Sequence, residues 1–351
     1  MPFAGKAAIH ADVVDHGRTR SRRRLLASGL AAMTLSLGVM LAGGPAGAQS
    51  PTKFKFAASP TWYGQVPVMV AIDKGYFKDK GLDVEFTPIL SSGDRLAALT
   101  AGSVDFSNLG RVAVISDMAR GNKAFYFVAN IDDSPGNEGC WGRPGIKTVA
   151  DMRGKKVAAN TSAEITMTLL LKNEGMTQKD IQLVNLSPTE MAPALARGDV
   201  DVACVWQPLL DGLKKAVPDG HLIGTDKDTE FYKKFGTMAS PDIVVMSRDL
   251  VDKHPKEAAK LIEAVFRGAD FTQKNPEKAA EIVAHYFKKP ASDLVAPIKK
   301  FHYFGEKGWP KHISLHTQQM QALADMLYNL GKIGSDPDVK QWEKTDFIPK
   351  P

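Results

Sequence analysis

Apolar residues between positions 53 and 131 alternate at strand spacing, then recur at helix spacing, several times in succession. Residues 53–58 have every second residue apolar, as in a half-buried strand. Residues 65–74 carry Pro67 in the first turn and end at Gly75, which predicts a helix with a defined start and stop. The pattern continues with predicted strands at 82–86, 104–107 and 125–131 and predicted helices at 92–100 and 111–120.

A second cycle follows a link rich in glycine and proline at residues 134–145. It contains predicted strands at 156–159, 181–186 and 200–205 and predicted helices at 162–174 and 190–196. After Pro241, a strand at 243–246 leads into a helical C-terminal third, with helices at 255–274, 276–287 and 313–330. Strands that alternate with helices in this way predict an α/β fold.

A short internal repeat links the two cycles. Residues 95–105 (RLAALTAGSVD) are echoed by residues 194–201 (ALARGDVD), although a match this short can also arise by chance. In each copy a helix ends at glycine and a strand opens with Val-Asp, and a polar cluster follows (SNLG at 107–110, WQP at 206–208). Ligands bind beyond the carboxyl ends of strands in open parallel sheets, so two such edges facing each other would form a cleft.

Residues 1–48 have the three parts of a bacterial export signal. Three arginines at 22–24, beside Ser21, precede a mildly apolar stretch at 25–42, and AGA at 46–48 offers a cleavage site. The arginines favour the twin-arginine type of signal. A membrane anchor is the alternative, but the stretch is short for a bilayer core of ~30 Å and contains serine and glycine. We therefore expect cleavage, a soluble mature protein of 303 residues and a periplasmic location.

The basic charge of the chain belongs mainly to this signal. Residues 1–48 hold six basic and two acidic residues, so of the whole-chain charge of +6 about +2 remains for residues 49–351. No basic run follows, which argues against nucleic acid as a partner. The mature length allows two domains of typical size.

Cys140 and Cys204 are the two cysteines of the chain. An oxidising compartment permits a disulfide between them, whereas free cysteines are often small buried hydrophobic residues. The sequence leaves these two possibilities open.

Aromatic residues follow two of the predicted strands. Trp62 and Tyr63 come between the first strand and the first helix, where they can line a ligand pocket or pack in the core. Trp206 follows a strongly apolar strand, and Gln207 after it can donate and accept hydrogen bonds. We expect at least one ring of the first pair, and Trp206, to face an opening.

Thr161 and Ser162 open a helix directly after a predicted strand. A helix N-terminus has free N–H groups and partial positive charge, which suit an anion such as a sulfonate, carboxylate or nitrate. Thr161 and Glu164 also have the spacing of a capping box, which would use two of those donors internally.

Motifs of catalysis are absent. The chain has no Gly-x-Ser-x-Gly, His-Glu-x-x-His, phosphate loop or Gly-x-Gly-x-x-Gly, and no histidine lies at metal-ligand spacing from a cysteine. We therefore predict a protein that is not an enzyme and has neither a cofactor nor a metal.

Several segments, in this order, resemble the periplasmic solute-binding proteins of the nitrate/taurine/sulfonate class. They are DKGYF (73–77), GLDVE (81–85), GSVDF (102–106), GIKTVADMRGKKV (145–157) and VWQP (205–208). The resemblance covers most of residues 53–255 and implies a two-lobed type II binding protein. In this fold each lobe is a mixed sheet flanked by helices, and two crossover strands join the lobes.

The resemblance also implies boundaries, a partner and a site. We expect lobe I at residues 53–138 plus 241–351, lobe II at 139–240, and a monomer that docks on an ABC permease of the inner membrane. Nine residues are expected to line the cleft: Trp62, Tyr63, Ser92, Asn108, Thr161, Ser162, Trp206, Gln207 and Asp242. Taurine-binding relatives often have an acid where Gln207 stands, which puts an amine-bearing ligand in doubt unless Asp242 or another acid supplies the charge.

The predicted ligand is a small organic anion, an alkanesulfonate, taurine or a carboxylate. One alternative is a pyrimidine vitamin precursor or another aromatic solute stacked between the tryptophans. A second is an enzyme on the same scaffold, which needs a titratable residue with a perturbed pKa in the cleft. Delivery to a chemosensory receptor is a third, which the sequence does not separate from transport.

Overall fold

Two five-stranded sheets organise the computed structural model, which describes residues 51–350. The predicted signal peptide, residues 1–48, lies outside the described residues. The first sheet has the order β2-β1-β3-β11-β4. Its strands are β1 Thr52–Ala58, β2 Leu82–Pro88, β3 Phe106–Gly110, β4 Phe125–Ala129 and β11 Asp242–Ser247.

The second sheet repeats this topology, with the order β8-β7-β9-β6-β10. Its strands are β6 Glu138–Gly142, β7 Lys156–Ala158, β8 Gln182–Val184, β9 Val202–Trp206 and β10 His221–Thr225. In each sheet the fourth strand, β11 or β6, is antiparallel to both neighbours, and the other strands share one direction. The short strands β5 Asp132–Asp133 and β12 His302–Tyr303 pair separately.

The internal repeat of the sequence has the same structure in both copies. Asp105 and Asp201 each stand just before the central strand of their sheet. The Asp105 carboxylate accepts the Lys55 backbone N–H at 2.7 Å, and the Asp201 carboxylate accepts the Lys156 N–H at 2.9 Å. Each aspartate therefore joins its central strand to the neighbouring parallel strand, which explains why Val-Asp recurs at this point.

Helices cover both sheets and form the C-terminal third. They are α1 Val66–Asp73, α2 Ser92–Thr100, α3 Arg111–Ala119, α4 Thr161–Asn173, α5 Pro188–Arg197, α6 Leu209–Ala216, α7 Glu230–Phe235, α8 Arg248–Lys253, α9 Pro255–Lys274, α10 Pro276–Phe287, α11 Ala291–Lys299 and α12 Trp309–Asn329. The predicted bounds of α2, α9 and α10 agree with the structure, because capping residues or proline mark where these helices begin. The predicted α/β fold is confirmed. Among residues 51–350, no helix is both long and apolar enough to span a bilayer.

The second sheet is covered on both faces, which side-chain alternation along β9 makes clear. Val202 and Cys204 belong to one hydrophobic cluster, and Ala203 and Val205 belong to another on the opposite face. The first sheet packs in a larger core together with the C-terminal helices.

The prediction of an irregular link at residues 134–145 is wrong. Glu138–Gly142 is the buried strand β6, and Cys140 lies opposite Cys204 on β9, with the two Sγ atoms bonded at 2.05 Å. A strand buried on both faces needs no apolar–polar alternation, and the glycines of β6 remove the usual signal of strand propensity.

The chain crosses twice between the sheets, from β4 to β6 and from β10 to β11. Asp133 Oδ1 in the first crossing accepts the Met238 N–H of the second at 3.3 Å. The Asp226 carboxylate accepts the N–H groups of Gly136 at 3.0 Å and Glu138 at 3.1 Å. The two crossings are therefore hydrogen-bonded side by side.

Candidate functional site

A cavity of about 390 Å³ lies between the two sheets, within the usual size range of ligand pockets. The first sheet and its loops contribute Trp62, Ser92, Arg95, Gly110 and Asp242 to the walls. The second sheet contributes Glu138, Ser162 and Trp206. Most of these residues follow the carboxyl end of a parallel strand, the place where open α/β sheets bind ligands.

Two acids occupy equivalent positions on opposite walls. Asp242 opens the antiparallel strand β11 and lies opposite Gly110, the last residue of β3. Glu138 opens the antiparallel strand β6 and lies opposite Trp206, the last residue of β9. Because the sheets share one topology, the fold places both carboxylates at corresponding strand ends.

Arg95 is the basic residue of the cavity wall and is only 3 % exposed. Its Nη1 donates to the carbonyl groups of Ile89 and Leu90, both at 2.9 Å, and its Nη2 donates to Ser92 Oγ at 2.9 Å. These bonds hold the guanidinium beside the cavity and leave Nε without an acceptor among the side chains and backbone that the structure describes. Burial lowers the Arg95 pKa, and the Asp242 charge partly offsets this effect. A buried guanidinium is a natural partner for an anion.

Glu138 is 2 % exposed and is held by helix α4. Ser162 Oγ donates a short hydrogen bond to one carboxylate oxygen, and Thr166 Oγ1 donates to the other at 2.8 Å. Burial raises the Glu138 pKa to about 7 despite these bonds. Burial likewise raises the Asp242 pKa to about 6, while Arg95 lowers it. Both acids therefore titrate close to neutral pH.

The loop that carries Trp62 is fixed by two buried amides. Gln65 Oε1 accepts the Ser59 N–H at 2.6 Å, and Asn108 Nδ2 donates to the Gly64 carbonyl at 3.3 Å. Gly64 leaves no room for a side chain, since an added Cβ would lie 2.2 Å from Asp132 Oδ2. Trp62 packs edge-on against Phe301, with ring centroids 5.1 Å apart.

The structure brings five of the nine predicted residues to the cavity wall: Trp62, Ser92, Ser162, Trp206 and Asp242. Tyr63 is 2 % exposed and stacks on Phe287, so it belongs to the core. Asn108 is fully buried behind the wall, where it holds the Trp62 loop.

Gln207 is not among the described wall residues either. The Gln207 amide donates to Asp211 Oδ1 at 3.0 Å, so it serves the start of α6 rather than the cavity. Thr161 is the first residue of α4. The N-cap of this helix is Asn160, and the predicted capping box and ligand contact of the Thr161 side chain lie outside what the structure describes.

Sequence reasoning missed Arg95 and Glu138. Arg95 shares the buried face of α2 with Leu96 and Leu99, and an arginine in such a stripe is a usable signal. Glu138 had no comparable signal, because it precedes a glycine-rich strand that was predicted as a link. Within residues 51–350, no group of three His, Cys, Asp or Glu side chains is placed to hold a metal ion.

Sequence and structure comparisons agree with this architecture. The family described as NMT1/THI5 like matches residues 63–279, more than half of the chain. The chain belongs to the NMT1/THI5 like family. This membership confirms the resemblance to solute-binding proteins that the sequence segments indicated.

Relatives of this NMT1/THI5 like chain include a protein of Brucella abortus, provisionally named a binding protein. It is 25% identical over 295 residues, which cover 82% of this chain and 88% of that protein. The taurine-binding periplasmic protein of Escherichia coli is 29% identical over 197 residues, 54% of this chain and 58% of that protein. The solved periplasmic aliphatic sulphonate binding protein of Escherichia coli superposes with a TM-score of 0.71 at 18% identity, over 86% of this chain and 95% of that one. The periplasmic binding protein fold predicted from sequence is thus confirmed.

Proposed function

We propose that this protein is the substrate-binding component of an ABC importer and that it captures a small organic anion, a sulfonate or carboxylate, by lobe closure. It is exported by its N-terminal signal, acts in the periplasm as a monomer and delivers the solute to an inner-membrane permease. The fold and the names of the relatives support this class of function.

Two lobes of equal topology support closure as the binding mechanism. We assign residues 53–138 plus 241–351 to lobe I and residues 139–240 to lobe II, each built on one sheet, except that the boundary residue Glu138 opens β6 of the second sheet. A solute that contacts both walls stabilises the closed arrangement by its additional contacts in that state. The paired crossings are where such a motion would occur.

The observation that carries the anion assignment is Arg95, a buried guanidinium on a cavity wall to which both sheets contribute. Its Nη1 donates to two backbone carbonyls and its Nη2 to Ser92 Oγ, so the side chain is preorganised and loses little freedom on binding. Ser92, whose Oγ accepts from Arg95 Nη2, adds a hydroxyl donor beside it.

Calorimetric titration of the mature protein with ethanesulfonate, taurine, acetate and nitrate tests this proposal. Arg95→Met is expected to weaken anion binding by roughly 10- to 100-fold, because a charged hydrogen-bond donor is lost. Arg120→Met is the control, since that arginine is 68% exposed and outside the cavity wall. Binding of neutral aromatic solutes together with no binding of any anion would reject the proposal.

An aromatic solute is the second candidate, because Trp62 and Trp206 both contribute to the same cavity wall from opposite sheets. Stacking between two indoles suits a pyrimidine or a similar ring. Quenching of tryptophan fluorescence by an aminopyrimidine, lost in Trp206→Leu, would favour this candidate over the anion.

An enzyme remains the third candidate, because Glu138 and Asp242 are acids with raised pKa values in the cavity. Mass spectrometry of a solute recovered after prolonged incubation separates binding from turnover. Unchanged solute is expected, and a new product would support catalysis.

A further inference from the structure

We infer that the solute carries a cationic nitrogen in addition to its anionic group, and that Glu138, aided by Asp242, selects for that nitrogen. This inference rests on the proposed function and specifies its substrate class as zwitterionic.

The charges of the cavity wall point to a zwitterion. The wall contains one basic residue, Arg95, and two carboxylates, Glu138 and Asp242. A plain anion beside Arg95 would bring a third negative charge into a space where water screens little. A ligand that brings its own positive charge keeps the net charge of the site at −1 instead of lowering it to −2.

Asp242 and Arg95 lie on the same wall of the cavity, both near Ser92. A Cβ added at Gly110 would lie 3.5 Å from Asp242 Oδ1 and 3.6 Å from Ser92 Oγ, so these two atoms flank the same point. Ser92 Oγ in turn accepts from Arg95 Nη2 at 2.9 Å. The Asp242 charge also raises the Arg95 pKa, so the first-sheet wall already contains a cation and an anion that attract each other.

Glu138, on the opposite wall, lacks such a partner. Its carboxylate accepts from the Ser162 and Thr166 hydroxyls, and the charged groups that act on its pKa within residues 51–350 are two further acids, Asp226 and Asp242. A buried carboxylate without a countercharge is unfavourable unless it is protonated or paired. An ammonium group of the solute would supply the missing partner.

The neighbouring Gln207 does not take this role. Its amide is engaged by Asp211 at 3.0 Å, and it is not a wall residue. Glu138 instead reaches the cavity from the adjacent strand, opposite Trp206 in the register. The acid that discriminates for the nitrogen is thus supplied by β6.

A matched pair of probes tests the inference directly. Taurine and ethanesulfonate differ only by the ammonium group, and β-alanine and propionate are the corresponding carboxylates. In calorimetric titrations at pH 8, where both acids are ionised, we expect each zwitterion to bind roughly 10- to 100-fold more tightly than its amine-free partner.

Glu138→Gln keeps the shape of the side chain and removes its charge. The variant is expected to lose most of the preference for taurine while binding ethanesulfonate at least as well as the parent protein. Asp211→Asn removes a carboxylate beside Gln207 but outside the cavity wall, and it should leave the ratio of affinities unchanged.

The outcomes separate this inference from the proposed function. If the parent protein binds ethanesulfonate and propionate as tightly as their amines, anion capture stands and selection for a cationic nitrogen is wrong. If none of the four probes binds, both are wrong. The four probes are compared on the unsubstituted protein, so the inference can be tested even if Glu138→Gln does not fold.

Discussion

Two buried clusters of charge lie close together in this protein, one on the cavity wall and one sealed in the core. The wall cluster is Arg95, Glu138 and Asp242. The sealed cluster contains Arg111 and Asp132, both without exposure, and Asp133 at 3 % exposure. Burial raises the pKa of Asp132 well above its usual range and that of Asp133 to about 7, and lowers that of Arg111 to about 9. Both clusters therefore contain groups with shifted pKa values. They differ in that only the wall cluster is accessible from the cavity.

The sealed cluster has an architectural role. Arg111 Nη1 donates to Gln319 Oε1 at 2.9 Å and to the His316 carbonyl at 3.3 Å, both on α12. Gln319 Nε2 donates to the Met238 carbonyl at 2.6 Å in the second crossing. Arg111 thus joins the segment after β3, the C-terminal helix α12 and a crossing, whereas Arg95 is part of the cavity wall.

Arg111→Met should produce the largest effect, on stability. Removing one partner of a buried charge network leaves the others uncompensated, so the free energy of unfolding should fall by about 3–5 kcal/mol. Urea denaturation measures this change. Arg95→Met should lower the free energy of unfolding less than Arg111→Met does, but should weaken anion binding more. An equal loss of stability in both variants would contradict the distinction between the two clusters.

Glu138→Gln should change how stability depends on pH. The Glu138 pKa is about 7 in the folded protein against 4.5 for the free side chain, so its stabilising contribution is complete below pH 4.5 and disappears as the pH rises through 7. The parent protein should lose on the order of 3 kcal/mol from this group over that range. Asp226, Asp242 and the hydroxyls of Ser162 and Thr166 also face this carboxylate and shape the profile.

Thermal denaturation between pH 4.5 and 8 provides the measurement. The variant should show a flatter profile than the parent, with the difference concentrated between pH 5 and 7. Identical slopes in the two proteins would mean that Glu138 is ionised throughout this range and that its pKa is not raised.

Gly110→Leu should close the cavity while sparing the sealed cluster. Gly110 has φ −61° and ψ 132°, which any residue adopts, so the added side chain meets no backbone strain. Because its Cβ would already contact Asp242 and Ser92, the larger side chain should weaken taurine binding by more than about tenfold, or 1.4 kcal/mol. Gly110→Ala should give a smaller loss, and unchanged affinity in both would place the ligand elsewhere.

Lys332→Met should give the smallest effect. Lys332 Nζ, after α12, pairs with Glu164 Oε1 on α4 at 2.7 Å, and α4 also carries Ser162 of the cavity wall. Because Lys332 lies in lobe I and Glu164 in lobe II, this pair favours the closed arrangement that binds the solute. A partly exposed ion pair contributes about 0.5 kcal/mol, so its loss should lower the taurine affinity about twofold. Lys172→Met, which breaks an exposed pair with Glu230, is the control and should not change affinity in calorimetry.

About half of the candidate site was predictable from sequence. Trp62 and Ser162 follow strands and Trp206 ends one, and strand ends are where α/β sheets bind ligands. Tyr63 also follows a strand, and Asn108 lies within β3 near its end, yet both turn inward. Tyr63 stacks on Phe287, and Asn108 bonds Asp132 and Gly64. Whether a residue near a strand end faces the cavity or the core depends on neighbours that only the tertiary structure brings close.

Local pattern alone determined the alternation of strands and helices that defines the α/β fold, and the bounds of α2, α9 and α10. Apolar periodicity and capping are properties of neighbouring residues, so they survive without a tertiary context. Folding decided the position of β6, the pairing of Cys140 with Cys204, and the convergence of Arg95, Glu138 and Asp242. Those three charges come from an amphipathic helix and from two strands that are distant in the chain. Only the packing of both sheets around one cavity separates them from solvent and brings them together.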